Sequence, residues 1–573
     1  MVPPRAIKRH RLATGRAAGQ LGIMASRPAD TLRRDAHRAL TSETFDLLVV
    51  GGGITGAGVA REAALRGLRT ALVERDDFAA GTSSRSSRLV HGGVRYLEHG
   101  HLHLVFEASR ERRLQLQRLA PHLVRPLAFT WPVYRGARVP RWKLRAGLAL
   151  YDALALFRNV GRHEGLDVEE LLDGEPELSR EELLGGFRYW DAGTDDTRLT
   201  LAAVLAAREA GAVVLNHADV TAGVHEASRL IGVEVHDRLE ASSCTVRAHV
   251  IVNCTGPWSD ATAALTGVPA TQTVLGAVGA HIALPRHRVG NRDAITLTSP
   301  VDGRVMFVLP AGPHAIIGTT ERPATSGPDT VRASGAEVDY LLRSANARFP
   351  HAQLTRDDVV AAWAGIRPLA SARAERGRRD TGSASREHAV ERAANGLVSV
   401  TGGKLTTWRS MAVDIVDRAT GRRADRRATE RSREEPLPGG DVISLEHTVH
   451  DAFTITHDHA VAERLARAYG SRWHNVWSYA QRDPALRQRV SEDLPYLLAE
   501  LVHAIDREYA CTLADLLVRR THLAFATRDH GAAAAKRVAP IIGARLGWSD
   551  AERERQLAVY RDEIARLFTI DEP

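Results

Sequence analysis

The residues with the plainest chemical meaning are glycines. Gly51-Gly52-Gly53-Ile54-Thr55-Gly56 fits G-x-G-x-x-G, and an acid, Glu74, follows 21 residues after Gly53. Gly51 permits a tight turn, Gly53 lets the backbone approach a pyrophosphate, and Gly56 allows close helix–strand packing. A helix beginning there offers unsatisfied N–H groups and a partial positive charge to the pyrophosphate. The acid would accept the ribose hydroxyls of a dinucleotide. The glycine pattern alone is weak, and its surroundings give it weight. Phe45-Asp46-Leu47-Leu48-Val49-Val50 reads as a buried parallel strand, residues 54–66 as a helix, and Thr70-Ala71-Leu72-Val73 as a second strand.

The glycines further on distinguish between dinucleotides. Residues 81–97 crowd small hydroxyl residues and paired glycines soon after the acid, a segment able to lie along a diphosphate and approach a flat ring. Two more glycine segments lie far downstream: Val252-Asn253-Cys254-Thr255-Gly256 and Thr401-Gly402-Gly403-Lys404-Leu405-Thr406-Thr407. One βαβ unit completed by remote glycine turns points to FAD. The alternative, an ordinary turn at each place, holds for any one of them more easily than for all together.

Composition bounds the rest. A chain of 573 residues, 44% hydrophobic and 25% charged, is too long for one core and too apolar for wholesale disorder. Three cysteines without a close pair exclude a disulfide framework, a zinc ribbon and a CxxC couple, which fits a reducing cytoplasm; no metal is expected. No apolar run reaches a membrane-spanning length and no secretory core follows the basic start. The net charge of +8 is unevenly placed: residues 1–44 carry nine basic and three acidic groups, and residues 421–435 carry six and four. The remaining body is neutral, so the basic balance describes a tail and a linker. Only four positions are lysine, against 73 arginines, so a retained lysine departs from the compositional habit.

Residues 1–44 read as a basic, disordered extension, with Met24 an alternative start. Residues 97–120 read as a charged amphipathic helix and 144–157 as a helix apolar nearly all round. Strands are expected at 212–216, 231–236, 249–253, 279–284, 305–309 and 314–317, a linker over 421–440, and a helical lobe over 441–573.

At this point the chain resembles the FAD-dependent glycerol-3-phosphate dehydrogenases of the D-amino-acid-oxidase-like flavoproteins. The resemblance rests on the Gly51 loop, Ser86-Ser87-Arg88-Leu89-Val90-His91-Gly92-Gly93-Val94-Arg95-Tyr96-Leu97-Glu98, and Asp195-Asp196-Thr197-Arg198-Leu199. It continues through Asn253-Cys254-Thr255-Gly256-Pro257-Trp258, Gly365-Ile366-Arg367-Pro368-Leu369, Gly402-Gly403-Lys404-Leu405-Thr406-Thr407 and Leu437-Pro438-Gly439-Gly440, and so covers about residues 45–540 in order.

The resemblance implies an α/β fold: a Rossmann-like FAD-binding domain (45–120, 190–270 and 360–420) interleaved with a β-sheet substrate, or cap, domain (121–189 and 271–359). An all-α lobe follows at the C-terminus. It implies cofactor contacts from Gly51, Gly53, Ile54, Thr55, Gly56, Glu74, Arg75, Thr82, Ser83, Ser87, Arg88, Leu89, His91 and Gly92. Further cofactor contacts would come from Val220, Thr255, Gly256, Trp258, Gly403, Lys404, Leu405 and Thr406. Substrate binding would fall to Arg95, Tyr96, His281, Arg367, Arg386 and Lys404, with His281, Arg367 and Lys404 catalytic.

The reaction implied is oxidation of sn-glycerol 3-phosphate to dihydroxyacetone phosphate, a hydride passing from C2 to flavin N5, with membrane quinone as final acceptor. A phosphate dianion calls for several fixed positive donors, which the four cations would supply. Lys404 follows the pair Gly402-Gly403 in a chain that otherwise writes arginine, which suggests a place where a compact ammonium is needed and a planar guanidinium would not fit; chance retention is the alternative. Neutral imidazole can take the hydroxyl proton, so His281 is the candidate base; in a chain with 25 histidines a structural role is the alternative. The segment around it departs from the family's Lys-Gly-Ser-His at Val278 and Ala280, so whatever that lysine supports is missing or supplied elsewhere.

Arg135, Arg138, Arg141, Trp142, Lys143 and Arg145 cluster at the start of the apolar 144–157 stretch and suggest a peripheral helix on the anionic inner face of the cell membrane; on periodicity an internal helix with an exposed basic start is an equal alternative. Three other readings stay open: a hydrogen-peroxide-producing glycerol-3-phosphate oxidase, a flavin-binding homologue without activity, and a basic flavoprotein binding RNA through its tail. The neutral body speaks against nucleic acid. An amino-acid substrate is disfavoured, since one arginine suffices for a carboxylate. A homodimer is left open.

Overall fold

The computed structural model describes residues 29–94, 97, 101–155, 159–268, 274–370 and 388–572. Continuous apolar runs without alternation predict strands covered on both faces, and the first sheet is built from them. Its central strand, Thr44–Val50, lies parallel between Thr70–Val73 and Ser242–Asn253, with Val49 opposite both Leu72 and Val252. Val213–Leu215 extends the sheet on one side and Val398–Thr401 on the other, both parallel. The antiparallel strands Ala389–Arg392, Arg229–Asp237 and Ala218–Glu226 complete it. Helix Ile54–Leu65 packs on it with ten of its twelve residues buried, flanked by helices Asp196–Glu209 and Trp408–Thr420.

A second sheet of ten strands has the order Arg322–Pro323, Val274–Pro285, His314–Gly318, Val305–Ala311, Ala294–Thr298, Val124–Tyr134, Leu183–Thr194, Leu89–Val90. Ala361–Ala370 also pairs with Val274–Pro285, and Glu164–Leu166 with Leu183–Thr194. Two expected boundaries shift here. The strand Ala361–Ala370, placed with the FAD-binding segments, belongs to the second sheet, and Leu183–Thr194 runs unbroken across residue 190. All six strands expected in the middle of the chain are present, but Val124–Tyr134, Leu183–Thr194 and Ala361–Ala370 had no expectation. Their prolines and glycines masked a strand pattern.

The extension expected over 1–44 is corrected from residue 29 onward. Ala29–Ser42 is a helix. Its buried face recurs at Arg33, Ala36 and Leu40, and an arginine at one of the three positions hid the period from the sequence. Arg33 donates to Asn216 O and Oδ1, both at 2.8 Å, and to Asp237 Oδ2 at 2.5 Å. The linker over 421–440 is likewise corrected: Arg426–Glu434 is a helix capped by Asp425, and Arg61 donates to its Ser432 and to Glu435 carbonyls. A run dense in arginine reads as solvated chain, yet Arg61 of the first sheet's helix and Arg431 of the run itself, which donates to Leu65 O at 3.0 Å, anchor it.

The charged helix starts later than expected, at Leu102, and widens after Leu114 into a π turn, Gln115–Leu119. There Gln115 donates to Thr406 O at 2.7 Å and accepts from Trp408 Nε1 at 3.1 Å. The helix expected over 144–157 spans Arg141–Leu154 and is two-faced: Leu144, Leu148 and Tyr151 are buried, while Trp142 and Leu150 are exposed. The C-terminal lobe is helical except for a small hairpin, Arg489–Ser491 with Leu494–Leu497. It docks through buried charge: Arg520 and Arg519 both grip Asp77, and Arg198 forms a bidentate pair with Glu508 at 2.8 and 2.9 Å.

Candidate active site

The glycine loop leaves strand Thr44–Val50 with Gly51 at φ +107°, a backbone no L side chain adopts readily. A Cβ there would lie 2.8 Å from Cys254 O. One at Gly56 would strike the Gly51 carbonyl, so this glycine sets the close packing of helix on strand. Gly53 is the helix N-cap and has no side chain to cap with, which leaves the helix N-terminus open to an anion. Among the described residues only Ser83 Oγ engages the first turn, accepting from Ile54 N at 3.0 Å.

Glu74 follows the second strand and accepts from Gly52 N at 2.6 Å and Asp76 N at 2.8 Å. Burial, reinforced by the Asp76 charge, pushes its carboxyl up to about 7. The loop, Glu74, Arg75, Thr82, Ser83, Val220 and the Thr255-Gly256-Trp258 turn line one cleft with Gly403, Lys404 and Leu405. It encloses about 1350 Å³ with its open mouth included. Arg75 covers the Trp258 ring at 5.1 Å, and both hold Asp329.

A second cavity continues from this cleft, sharing Thr82, Ser86, Pro368, Gly403, Lys404 and Leu405 with it. Here the sequence's catalytic candidates meet: His281, Arg367 and Lys404 line one space, with Ser87, Leu89, His91 and Thr406. Strand alternation decides which residues face it. His281 and Gly279 point into the cavity from strand Val274–Pro285, whereas Val278 and Ala280 point the other way, into an apolar core with Met306, Val308 and Ile366. The two departures from the family segment are therefore buried behind the sheet, away from the histidine.

His281 is 2% exposed. Its Nε2 lies 2.9 Å from Ser87 Oγ, and its Nδ1 is buried with no partner. Its neighbours across the sheet are Gly318 and Trp363. A Cβ on Gly318 would collide with the ring, while Trp363 stacks on it at 5.5 Å and 13°. Burial, helped by the charges of Arg367 and Arg88, pulls the imidazole down to about 3, so it is neutral at pH 7. Arg367 donates to Thr319 Oγ1 at 3.1 Å and lies across Gly279, where a Cβ would be 2.7 Å from Nη2.

Three expected cofactor residues line neither cavity, the first being Gly56, which packs against the Gly51 carbonyl. The Arg88 guanidinium lies over Trp363 and Phe525 at 5.8 and 5.2 Å. Gly92 donates to Asp191 Oδ1 at 2.8 Å and is confined by the Tyr151 hydroxyl. Arg95, Tyr96 and Arg386 lie outside the described residues. Sequence reasoning missed Phe307 and Thr319, which line the substrate side, and Trp363, which stacks behind His281; all three come from strands or turns without a motif. Gly279 carried a readable signal, because a glycine two residues from a strand histidine shares its face.

An open helix N-terminus, a βαβ acid and a cleft running on to a neutral histidine fit FAD, and the fold and site define a flavin-dependent oxidoreductase. Comparison with known proteins agrees. Residues 46–409 match the FAD dependent oxidoreductase family, and 430–553 match the C-terminal domain of alpha-glycerophosphate oxidase. Glycerol-3-phosphate dehydrogenase 2 of Mycobacterium tuberculosis is 38% identical over 541 residues, covering 93% of this chain and 90% of its own. The glycerol-3-phosphate dehydrogenase of Synechocystis is 34% identical, covering 91% and 97%. A crystal structure of the Bacillus halodurans glycerol-3-phosphate dehydrogenase complexed with FAD superposes with a TM-score of 0.76 at 29% identity, covering 95% of this chain and all of that one. The chain belongs to the FAD-dependent glycerol-3-phosphate dehydrogenases, and FAD is its cofactor.

Proposed function

We propose that this protein oxidises sn-glycerol 3-phosphate to dihydroxyacetone phosphate, with membrane quinone as the electron acceptor. The observation that supports it most is the convergence of a neutral, buried His281 with Arg367 and Lys404 in one cavity that opens on the dinucleotide cleft. Bound FAD supplies a hydride acceptor at N5. The glycine loop and helix N-terminus hold its pyrophosphate, and Glu74 its ribose. Arg367 and Lys404 bind the substrate phosphate and fix C2 in place. His281 Nε2 takes the C2 hydroxyl proton, and Ser87 Oγ steadies that nitrogen before the substrate arrives.

Quinone resides in lipid, so the acceptor calls for a membrane-facing surface. Helices Leu102–Leu114 and Arg141–Leu154 pack together and leave Leu102, Phe106, Trp142 and Leu150 exposed beside Arg138, Arg141, Lys143 and Arg145. No helix among the described residues is long and apolar enough to cross a membrane, so contact would be peripheral. Oxygen is the second acceptor to consider, because residues 430–553 match a domain named for an oxidase.

Anaerobic mixing of the yellow holoenzyme with sn-glycerol 3-phosphate tests the reaction: flavin absorbance should bleach, and persistence of the colour would overturn it. Admitting quinone or oxygen to the bleached enzyme then identifies the acceptor. Flotation with anionic vesicles tests the surface, with Trp142→Ser expected to weaken it and unchanged flotation counting against this helix.

A further inference from the structure

We propose that Phe525 of the C-terminal lobe is a positioning residue for the reaction, its ring fixing Trp363 and, through Trp363, the plane of the His281 imidazole. The inference rests on the reading of His281 as the base and gives the lobe a part in the active site.

One hydrogen bond, from or to Ser87, holds His281, and a single bond leaves the ring plane free to turn. On one side the ring lies against the Gly318 backbone, close enough that a Cβ there would strike it; on the other is the face of Trp363. The plane is therefore held between a fixed backbone and Trp363, and Trp363 is the wall whose side chain can move. That indole is 1% exposed, and its Nε1 has no hydrogen-bond partner, so its own place depends on packing alone. Phe525 meets it edge-on at 5.2 Å and 89°, and the Arg88 guanidinium lies against both rings. Such contacts are orientation-dependent, since the positive ring edge seeks the negative face.

Phe525 cannot retreat. Phe568 of the final helix backs it at 4.9 Å and 87°. The segment leading to it is tied to the FAD-binding body by Arg520 and Arg519 on Asp77 and by His522 Nε2 at 3.0 Å from Thr197 Oγ1. A rigid chain thus runs from the last helix through Phe525 and Trp363 to the imidazole. A base turned out of line loses rate through orientation and leaves the phosphate contacts intact.

The test compares holoenzymes with Phe525→Leu and Phe525→Tyr by anaerobic stopped flow with sn-glycerol 3-phosphate. Phe525→Leu should lower the limiting rate of flavin bleaching by about tenfold, with FAD content and apparent Kd for substrate unchanged. Phe525→Tyr, which keeps the ring, should restore the rate. Bleaching by Phe525→Leu at the wild-type rate, a Tyr variant as slow as the Leu variant, or a loss that follows FAD content would each overturn the proposal. If Phe525→Leu yields no holoenzyme, Trp363→Phe reads the same link from the other side, and an unchanged rate there overturns it. Failure of the wild-type enzyme itself to bleach would instead overturn the assigned reaction.

Discussion

His281 Nε2 stands 2.9 Å from Ser87 Oγ while its Nδ1 is buried without a partner, so the imidazole has one polar neighbour and two positive charges, Arg367 and Arg88, acting on it. That environment keeps the ring neutral and disfavours the imidazolium, so taking a proton requires the negative phosphate of bound substrate to offset the two arginine charges. His281→Ala should slow flavin bleaching by about 10²–10⁴-fold, the range of a lost general base, with substrate affinity largely kept. Unchanged bleaching would remove His281 from the chemistry.

On the proposed reading, Arg367 and Lys404 divide the phosphate work. Arg367→Gln should raise KM by about ten- to a hundredfold, the worth of a hydrogen bond to a charged group, with a smaller effect on kcat. Lys404 borders both the cofactor cleft and the substrate cavity, between Gly403 at φ +99° and Leu405. If a compact ammonium is required, Lys404→Arg should be nearly as impaired as Lys404→Met in kcat/KM. Rescue by arginine would mean that charge alone suffices.

The dinucleotide half of this site was legible because glycine is read by backbone geometry, and the loop, Glu74 and the two remote glycine turns line one cleft. His281, Arg367 and Lys404 meet in one cavity, but the sequence could not say which strand face each occupies. The same alternation explains why Val278 and Ala280 do not bear on His281. What stayed hidden was held by arginine. Arg33, Arg61 and Arg88 are written like their solvated neighbours, and only burial distinguishes an anchor from a surface charge.

Arg33 illustrates the consequence for stability. Its side chain neutralises a fully buried Asp237, with His37 Nε2 on the same oxygen at 2.5 Å. Arg33→Met should cost about 1.5–3 kcal/mol, the worth of its charged hydrogen bonds, because His37, held protonated up to about 9 by the same carboxylate, still neutralises it. Arg38→Met, on the exposed face of the same helix where among the described residues the side chain meets only Asp35, serves as the control in a urea unfolding series. Equal losses in the two variants would mean that the helix is not clasped through Arg33.

His122 provides a titration test independent of activity. It is 1% exposed, neither ring nitrogen has a partner, and the backbones of Gly439 and Gly470 close over it. Burial, with Arg198 nearby, lowers it from 6.5 to about 3. The folded ring thus stays neutral where the unfolded one takes a proton. Its contribution is full above pH 6.5 and is lost as the pH falls from there towards 3. At pH 5 the wild-type chain should have lost about 2 kcal/mol on this account relative to pH 7.5. His122→Leu removes the proton site, and any packing change it brings is common to both pH values. The difference in unfolding free energy between variant and wild type should therefore move by about 2 kcal/mol in the variant's favour on going from pH 7.5 to pH 5. A difference that is the same at both would mean that His122 takes up its proton inside the fold.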